Sequence, residues 1–315
     1  MKRMIGVLIF IGMIFSPVFS FSGEEIQIGY LPVSMSLPTF VALEKGFFNE
    51  KELNVKATQF VSGTLIMDAL ITGRIDVNAG SASVGHWMVE SNMPGMFKIF
   101  LIYGTENEWD NTFPIIVKKE TPYQTLLDLK GKKVGTFPGI TSIALSKAIF
   151  RKFLDPEKEI IFVEIPPQNM IDALAAGSVD AVFTPEPFGI IGVSKGIARY
   201  LVKSPHQALQ LKKGVLGGVF SFNTKFLQTK PEVAKKMKAI FEKSVDFIRS
   251  NEMEARRYLA KYANMPEPIA QKIPLEKWFK IGEFDLTMGQ PYFNVLMREG
   301  LFKKSVDTTQ LYYRD

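Results

Sequence analysis

Four short segments of this 315-residue chain carry residue types that could hold a small ligand without reacting with it. Residues 31–36 supply Ser34, Met35 and Ser36, and residues 80–83 supply Ser81 and Ser83. Residues 138–142 supply Gly139, Thr141 and Ser142, and residues 184–187 supply Glu186. Hydroxyls and backbone N–H groups flanked by small side chains suit capture by hydrogen bonding. None of the four segments contains Lys or Arg, so an anion bound there would rest on N–H groups and hydroxyls. Glu186 offers an acceptor for an amino or ring N–H, or alternatively an acid that the helix macrodipole favours at a helix start. Each serine has the same second reading, as the N-cap of the helix it precedes. Trp109, set in the polar stretch 105–111, is a candidate stacking platform, and Phe222 a candidate wall.

Reactive chemistry is thinly supplied. The chain has no cysteine, which removes thiolate nucleophiles, thiolate metal sites and an N-terminal lipid anchor on Cys. His86 and His206 are the only histidines and lack metal-ligand spacing, so no metal and no cofactor is expected. Residues 135–142 resemble a phosphate loop, but Ile140 stands where its Lys would be. Neither a G-x-S-x-G elbow nor an H-E-x-x-H pair occurs. The chain therefore reads as a binder rather than an enzyme.

The elements that must position these residues are announced by a repeated phrase. Residues 68–77 (DALITGRIDV) return as residues 172–181 (DALAAGSVDA), each reading as a helix end, a Gly stop, a turn opened by Asp, and a strand. Asp76 and Asp180 read as turn-holding residues at the strand ends away from any cleft. Upstream, the segment before Pro32 is echoed by the segment before Pro138. Alternating strands and helices at this spacing predict an α/β fold of two similar lobes with mainly parallel sheets and a cleft between them. The expected division is a leader at 1–22, a first lobe at 24–109 and 219–315, and a second at 110–218. The residues after Pro231 read as helical, over 233–250, 252–262, 270–273 and 285–299. Trp278 in that tail and Trp87 at helical spacing read as packing residues.

Lys2 and Arg3 precede an apolar run over residues 4–15, and small residues follow at Ser20 and Ser22. This is the layout of a cleaved export signal, and the run is too short to span a bilayer comfortably. An exported chain with no cysteine anchor is expected in a periplasm. The net charge is +6, spread as dispersed lysine pairs without interleaved aromatics, which gives no footprint for nucleic acid.

Several motifs together resemble a known family. The run from Gly29 to Pro32, then residues 42–48, then Leu53, Asn54 and Val55, is similar to the opening of periplasmic solute-binding proteins of the nitrate/sulfonate/taurine and thiamine-pyrimidine-precursor group. Residues 128–135, the two copies of the repeat, Glu186-Pro187 and residues 223–232 continue the resemblance in order over nearly the whole chain. It implies a type II periplasmic-binding-protein architecture, a small-molecule ligand closed between the lobes, and an ABC transporter permease with its ATPase as partners of a monomer. A thiamine-precursor pyrimidine or another flat nitrogen heterocycle such as a flavin is the ligand it implies first. An alkanesulfonate such as taurine is the alternative. An enzyme on the same fold, of the pyrimidine-synthase or menaquinone-pathway-dehydratase type, is the alternative from another class.

Overall fold

The computed structural model describes residues 25–105, 113–211 and 214–314; the expected leader and Trp109 lie outside them. The first part of the chain forms β1 (Ile26–Tyr30), α1 (Leu37–Glu44), β2 (Val55–Gln59), α2 (Gly63–Ile71), β3 (Val77–Ala82), α3 (Ser83–Asn92) and β4 (Phe97–Thr105). The middle forms β5 (Ile115–Lys118), β6 (Lys132–Thr136), α4 (Ile140–Phe150), β7 (Ile160–Glu164), α5 (Met170–Ala175), β8 (Ala181–Phe183), α6 (Phe188–Ser194) and β9 (Ala198–Val202). The rest forms β10 (Val215–Asn223), α7 (Thr224–Thr229), α8 (Pro231–Ser250), α9 (Glu252–Tyr262), α10 (Glu267–Ala270), β11 (Lys277–Lys280) and α11 (Gly289–Arg298).

These strands make two sheets, ordered β11-β4-β10-β3-β1-β2 and β7-β6-β8-β5-β9. The sheets are mixed, which corrects the mainly parallel expectation. Pairing is parallel where a helix makes the crossover, in β2-β1-β3 and in β7-β6-β8. It is antiparallel where a strand enters or leaves a sheet by another route, as β10, β4, β11 and β5 do. Alternation along the sequence fixes strand direction only for helix-linked neighbours. β10 pairs its first residue, Val215, with Thr105, so residues 215–218 lie in the larger sheet, ahead of the expected boundary at 219.

The two copies of the repeat fold alike. Gly73 and Gly177 both take φ +72°, a left-handed turn that ends α2 and α5 at no steric cost. The N–H of Gln27 donates to the Asp76 carboxylate at 2.8 Å, and the N–H of Lys133 donates to Asp180 at 2.9 Å. Each aspartate thus fastens its strand to the next one at the amino end of the sheet.

Helices α1, α8 and α9 cover one face of the larger sheet. α8 buries Met237, Phe241, Ser244 and Ile248 at spacings of three and four, the stripe of a helix with one face on the core. Phe100, Phe220, Phe222 and Phe241 meet in the same core, Phe100 stacking on Phe222 at 4.0 Å between centroids. Phe222 is therefore not a cleft wall. It pairs with Val77, the first residue of β3, at the end of the sheet remote from the cleft, and is fully buried. Trp278 lies in β11 rather than in a helix, paired with Tyr103. On the other face a continuous apolar cluster joins Trp87 of α3 to α11 and to Leu145 and Ile149 of α4, bridging the two sheets. No helix among the described residues is long and apolar enough to cross a membrane.

Candidate ligand site

The carboxyl ends of β1 and β3 in one lobe, and of β6 and β8 in the other, carry the segments singled out from the sequence. In open α/β sheets this is where helix N-termini and loops gather around ligands. Ser34 donates to the Glu276 carboxylate at 2.9 Å, and both side chains are buried. The Trp278 indole N–H donates to the Met35 carbonyl at 3.1 Å, and the Tyr103 hydroxyl to the Met35 sulfur at 2.9 Å. The chain just before and within β11 thus clamps the segment that enters α1. Burial, then the nearby Glu276 charge, raise the Tyr103 pKa well above the usual phenol value. The clamp depends on two glycines. A Cβ on Gly218 would sit 1.9 Å from the Tyr103 oxygen, and one on Gly80 would sit 3.3 Å from the Met35 carbonyl.

Ser36 occupies the N-cap position of α1 yet makes no side-chain cap bond. Its hydroxyl and that of Thr39, one turn on, are fully buried and find no hydrogen-bond partner among the described residues. Buried hydroxyls are normally paired, and leaving one unpaired costs roughly 1–3 kcal/mol. Two such hydroxyls stand together at one helix N-terminus, beside the carboxyl end of β1.

The hydroxyls of Ser81 and Ser83 are spent inside the protein. Ser81 lies within β3, buried, and accepts from the Asn78 amide at 2.7 Å. Ser83 donates to the Leu216 carbonyl at 2.6 Å, tying α3 to the start of β10. Beside them His86 is buried, its Nδ1 3.3 Å from the Ala82 carbonyl and its Nε2 2.8 Å from the Ser221 hydroxyl. A carbonyl only accepts, so Nδ1 carries the proton and Nε2 accepts from Ser221. Burial lowers the His86 pKa from 6.5 to about 4.

In the second lobe Ser142 donates to the Gly139 carbonyl at 2.8 Å and contacts the Phe137 carbonyl, closing its own loop. Gly139, at φ +118°, donates its N–H to Glu164 at 2.9 Å. Thr141 is half-buried in the first turn of α4. Glu186 turns inward: Oε2 accepts from the Ile190 N–H at 2.8 Å, Oε1 from the Tyr200 hydroxyl at 3.1 Å, and 6% of the residue is exposed. Burial raises its pKa, against the two hydrogen bonds. It follows that Glu186 anchors the first turn of α6.

The sequence reading missed an aromatic group at this end of the second lobe. Phe113, Phe137 and Phe183 lie 5.9–6.2 Å apart between centroids, with His206 edge-on to Phe113 and Phe183. Phe113 and Phe137 are only half-buried. Their signal was present: Phe137 directly follows β6, and Phe113 stands two residues before β5.

With this geometry in place, comparison with known proteins bears on the family. The NMT1/THI5-like family model matches residues 34–255, more than two-thirds of the chain. The chain belongs to the NMT1/THI5-like family. A Bacillus subtilis protein assigned as aliphatic sulfonates-binding is 25% identical over 254 residues, covering 79% of this chain and 73% of its own. The periplasmic aliphatic sulphonate binding protein SsuA from Escherichia coli superposes with a TM-score of 0.76 at 19% identity, covering 93% of each chain. The desulfurization enzyme DSZB shares the fold, with a TM-score of 0.66 at 13% identity over 92% of this chain and 96% of its own. The fold therefore serves both binding and catalysis, and the site must decide between them. Among the described residues no three His, Cys, Asp or Glu side chains are grouped to hold a metal ion. Both oxygens of the inward-turned Glu186 accept hydrogen bonds within its own lobe. At these strand ends one lobe carries unpaired buried hydroxyls and the other half-buried rings.

Proposed function

We propose that this protein is the extracytoplasmic solute-binding component of an ABC importer, capturing a small organic ligand with an oxyanionic head of the sulfonate class. The observation that carries the head group is the N-terminus of α1, where Ser36 and Thr39 keep two buried hydroxyls unpaired. An oxyanion there meets the positive end of the helix as well as those hydroxyls, and needs no side-chain cation. The name of the Bacillus subtilis relative supports the same class. A flat heterocycle is the second reading, favoured by the half-buried rings of Phe113 and Phe137. Its original acceptor, Glu186, is committed within its own lobe. Trp109 is proposed as a further stacking wall.

Capture works by population shift. A ligand touching both lobes favours the arrangement in which both contacts are made, and the hinge equilibrium moves accordingly. The loaded protein then docks, as a monomer with its leader removed, on a permease driven by an ATPase. No bond of the ligand is broken.

The test is a melting experiment with ethanesulfonate, benzenesulfonate and a 4-amino-5-hydroxymethylpyrimidine. A ligand at a hundred times its Kd stabilises by about 2.7 kcal/mol. Sulfonates are expected to raise the melting temperature. Ser36→Ala should weaken their binding about tenfold or more, because a hydrogen bond to a charged group is lost. The same change should leave the unliganded melting temperature level or slightly higher, since it deletes an unpaired buried hydroxyl. Stabilisation by the pyrimidine alone would refute the sulfonate class, and product formed from a bound compound would refute binding without catalysis.

A further inference from the structure

The C-terminal segment makes an excursion from one lobe to the other. It leaves the larger sheet at β11, paired with β4, and returns where Ile99 bridges Tyr312. Between these anchors α11 packs on α4 of the second lobe, and Phe293 and Leu296 share one apolar cluster with Leu145 and Ile149. At the far end of this contact stands Arg151, the C-cap of α4. Its Nε and Nη2 donate to the two carboxylate oxygens of Glu299 at 2.9 and 2.8 Å. Its Nη1 and Nη2 donate to the two oxygens of Glu157 at 3.1 and 2.6 Å. Lys147 lies 4.0 Å from Glu157. One guanidinium thus serves two bidentate carboxylates, one inside its own lobe and one just beyond α11. The geometry of a planar fork fixes direction as well as distance, so it holds a relative orientation in a way that an ammonium would not. The side chain of Glu299 is only 8% exposed while that of Arg151 is 45% exposed, so the interlobe half of the bridge is held on one side by packing and open to solvent on the other.

We infer that α11 is a non-covalent strap between the lobes and that the Arg151–Glu299 bridge sets the balance of lobe arrangements on which ligand capture depends. Two covalent crossings leave a hinge free to rotate. A third contact, remote from the carboxyl ends of the strands, restrains that rotation without touching the ligand. Glu157 supplies an internal control, because it takes the same number of hydrogen bonds from the same guanidinium and stays within one lobe.

The experiment needs no ligand, so it succeeds or fails apart from the choice of ligand class. The chain has no cysteine, so Val61→Cys and Gln168→Cys introduce two unique spin-label sites. Both are exposed, Val61 just beyond β2 in one lobe and Gln168 beyond β7 in the other. Pulsed dipolar spectroscopy then reads the interlobe distance distribution. Glu299→Gln and Arg151→Gln are each expected to shift the ratio of lobe arrangements by roughly two- to five-fold, the effect of losing one partly exposed bidentate bridge. Glu157→Gln should leave the distribution as in the parent protein. Circular dichroism and melting confirm that each variant is folded, and either Glu299→Gln or Arg151→Gln suffices. Unchanged distributions in the folded variants would overturn the inference. So would an equal shift in Glu157→Gln, which would mean that the guanidinium matters only to its own lobe.

Discussion

Acidification should cost this protein stability through His86, by an amount that follows from where the ring sits. The imidazole is fully buried between α3 and β10, edge-on to Phe97 at 4.8 Å, with its pKa lowered from 6.5 to about 4. A depressed folded-state pKa means that the unfolded chain binds the proton more tightly. Stability is then complete above pH 6.5 and is lost as pH falls from there toward 4. A drop from 6.5 to about 4 corresponds to about 3 kcal/mol, at 1.36 kcal/mol per unit. Protonation would also convert Nε2 from an acceptor into a donor facing the Ser221 hydroxyl, which can rotate to accept; the cost is therefore burial of the charge. The assay is denaturant unfolding of the parent protein and His86→Gln at several pH values between 7 and 4. Glutamine is polar and does not titrate, so the difference between the two curves isolates the histidine from every carboxylate they share. The parent should lose about 3 kcal/mol relative to the variant across this window. Parallel pH profiles would refute the reasoning, because they would show that the ring carries its proton in the fold as readily as in the unfolded chain.

Three further outcomes are expected. Gly218→Ala should destabilise by about 1–3 kcal/mol, since the new methyl would overlap the Tyr103 oxygen, whereas Gly217→Ala meets that ring at 3.3 Å and should cost less; paired thermal melts check the order. Phe222→Ala should lower stability by about 3–5 kcal/mol while folded protein keeps its ligand affinity, as calorimetry on both proteins would show. For Glu186, burial raises the folded pKa, so stability present at low pH is lost as pH rises above the ordinary carboxylate range. Glu186→Gln should therefore gain on the parent between pH 4 and 7, and urea unfolding at both values measures the gain.

The architecture was legible where local chemistry had no alternative. The repeated phrase located α2, α5, β3 and β8 because a left-handed glycine after a helix and an aspartate at a strand start leave few other structures open. Strand direction was not legible for β10, β4 and β11, which meet across long separations and not through a single-helix crossover that would fix the hand. The tail misled for a related reason. By its sequence the segment at Trp278 belongs to a helical tail, while pairing with Tyr103 on β4 makes it a strand. Phe222 misled because a central strand is covered on both faces, and nothing local distinguishes the end of it that faces a cleft.

The serines carry the more general argument. Sequence position placed Ser34, Ser36, Ser83 and Ser142 at the right end of the sheets, and sequence could go no further, because a hydroxyl's partner is chosen in three dimensions. The fold spends Ser34 on Glu276, Ser83 on the Leu216 carbonyl and Ser142 on its own loop. Each of these bonds fixes a segment around the cleft, which is a positioning task. Ser36 alone of the four is left unpaired, together with Thr39, which no motif in the chain singles out. The hydroxyls that hold these segments in shape and those left unpaired are therefore different sets. The division also separates the lobes. The unpaired buried hydroxyls of Ser36 and Thr39 belong to the lobe of α1, and the half-buried rings of Phe113 and Phe137 belong to the lobe of β5 and β6. A ligand with a polar head and an apolar body would satisfy both, and only a ligand long enough to reach both would gain from bringing the lobes together.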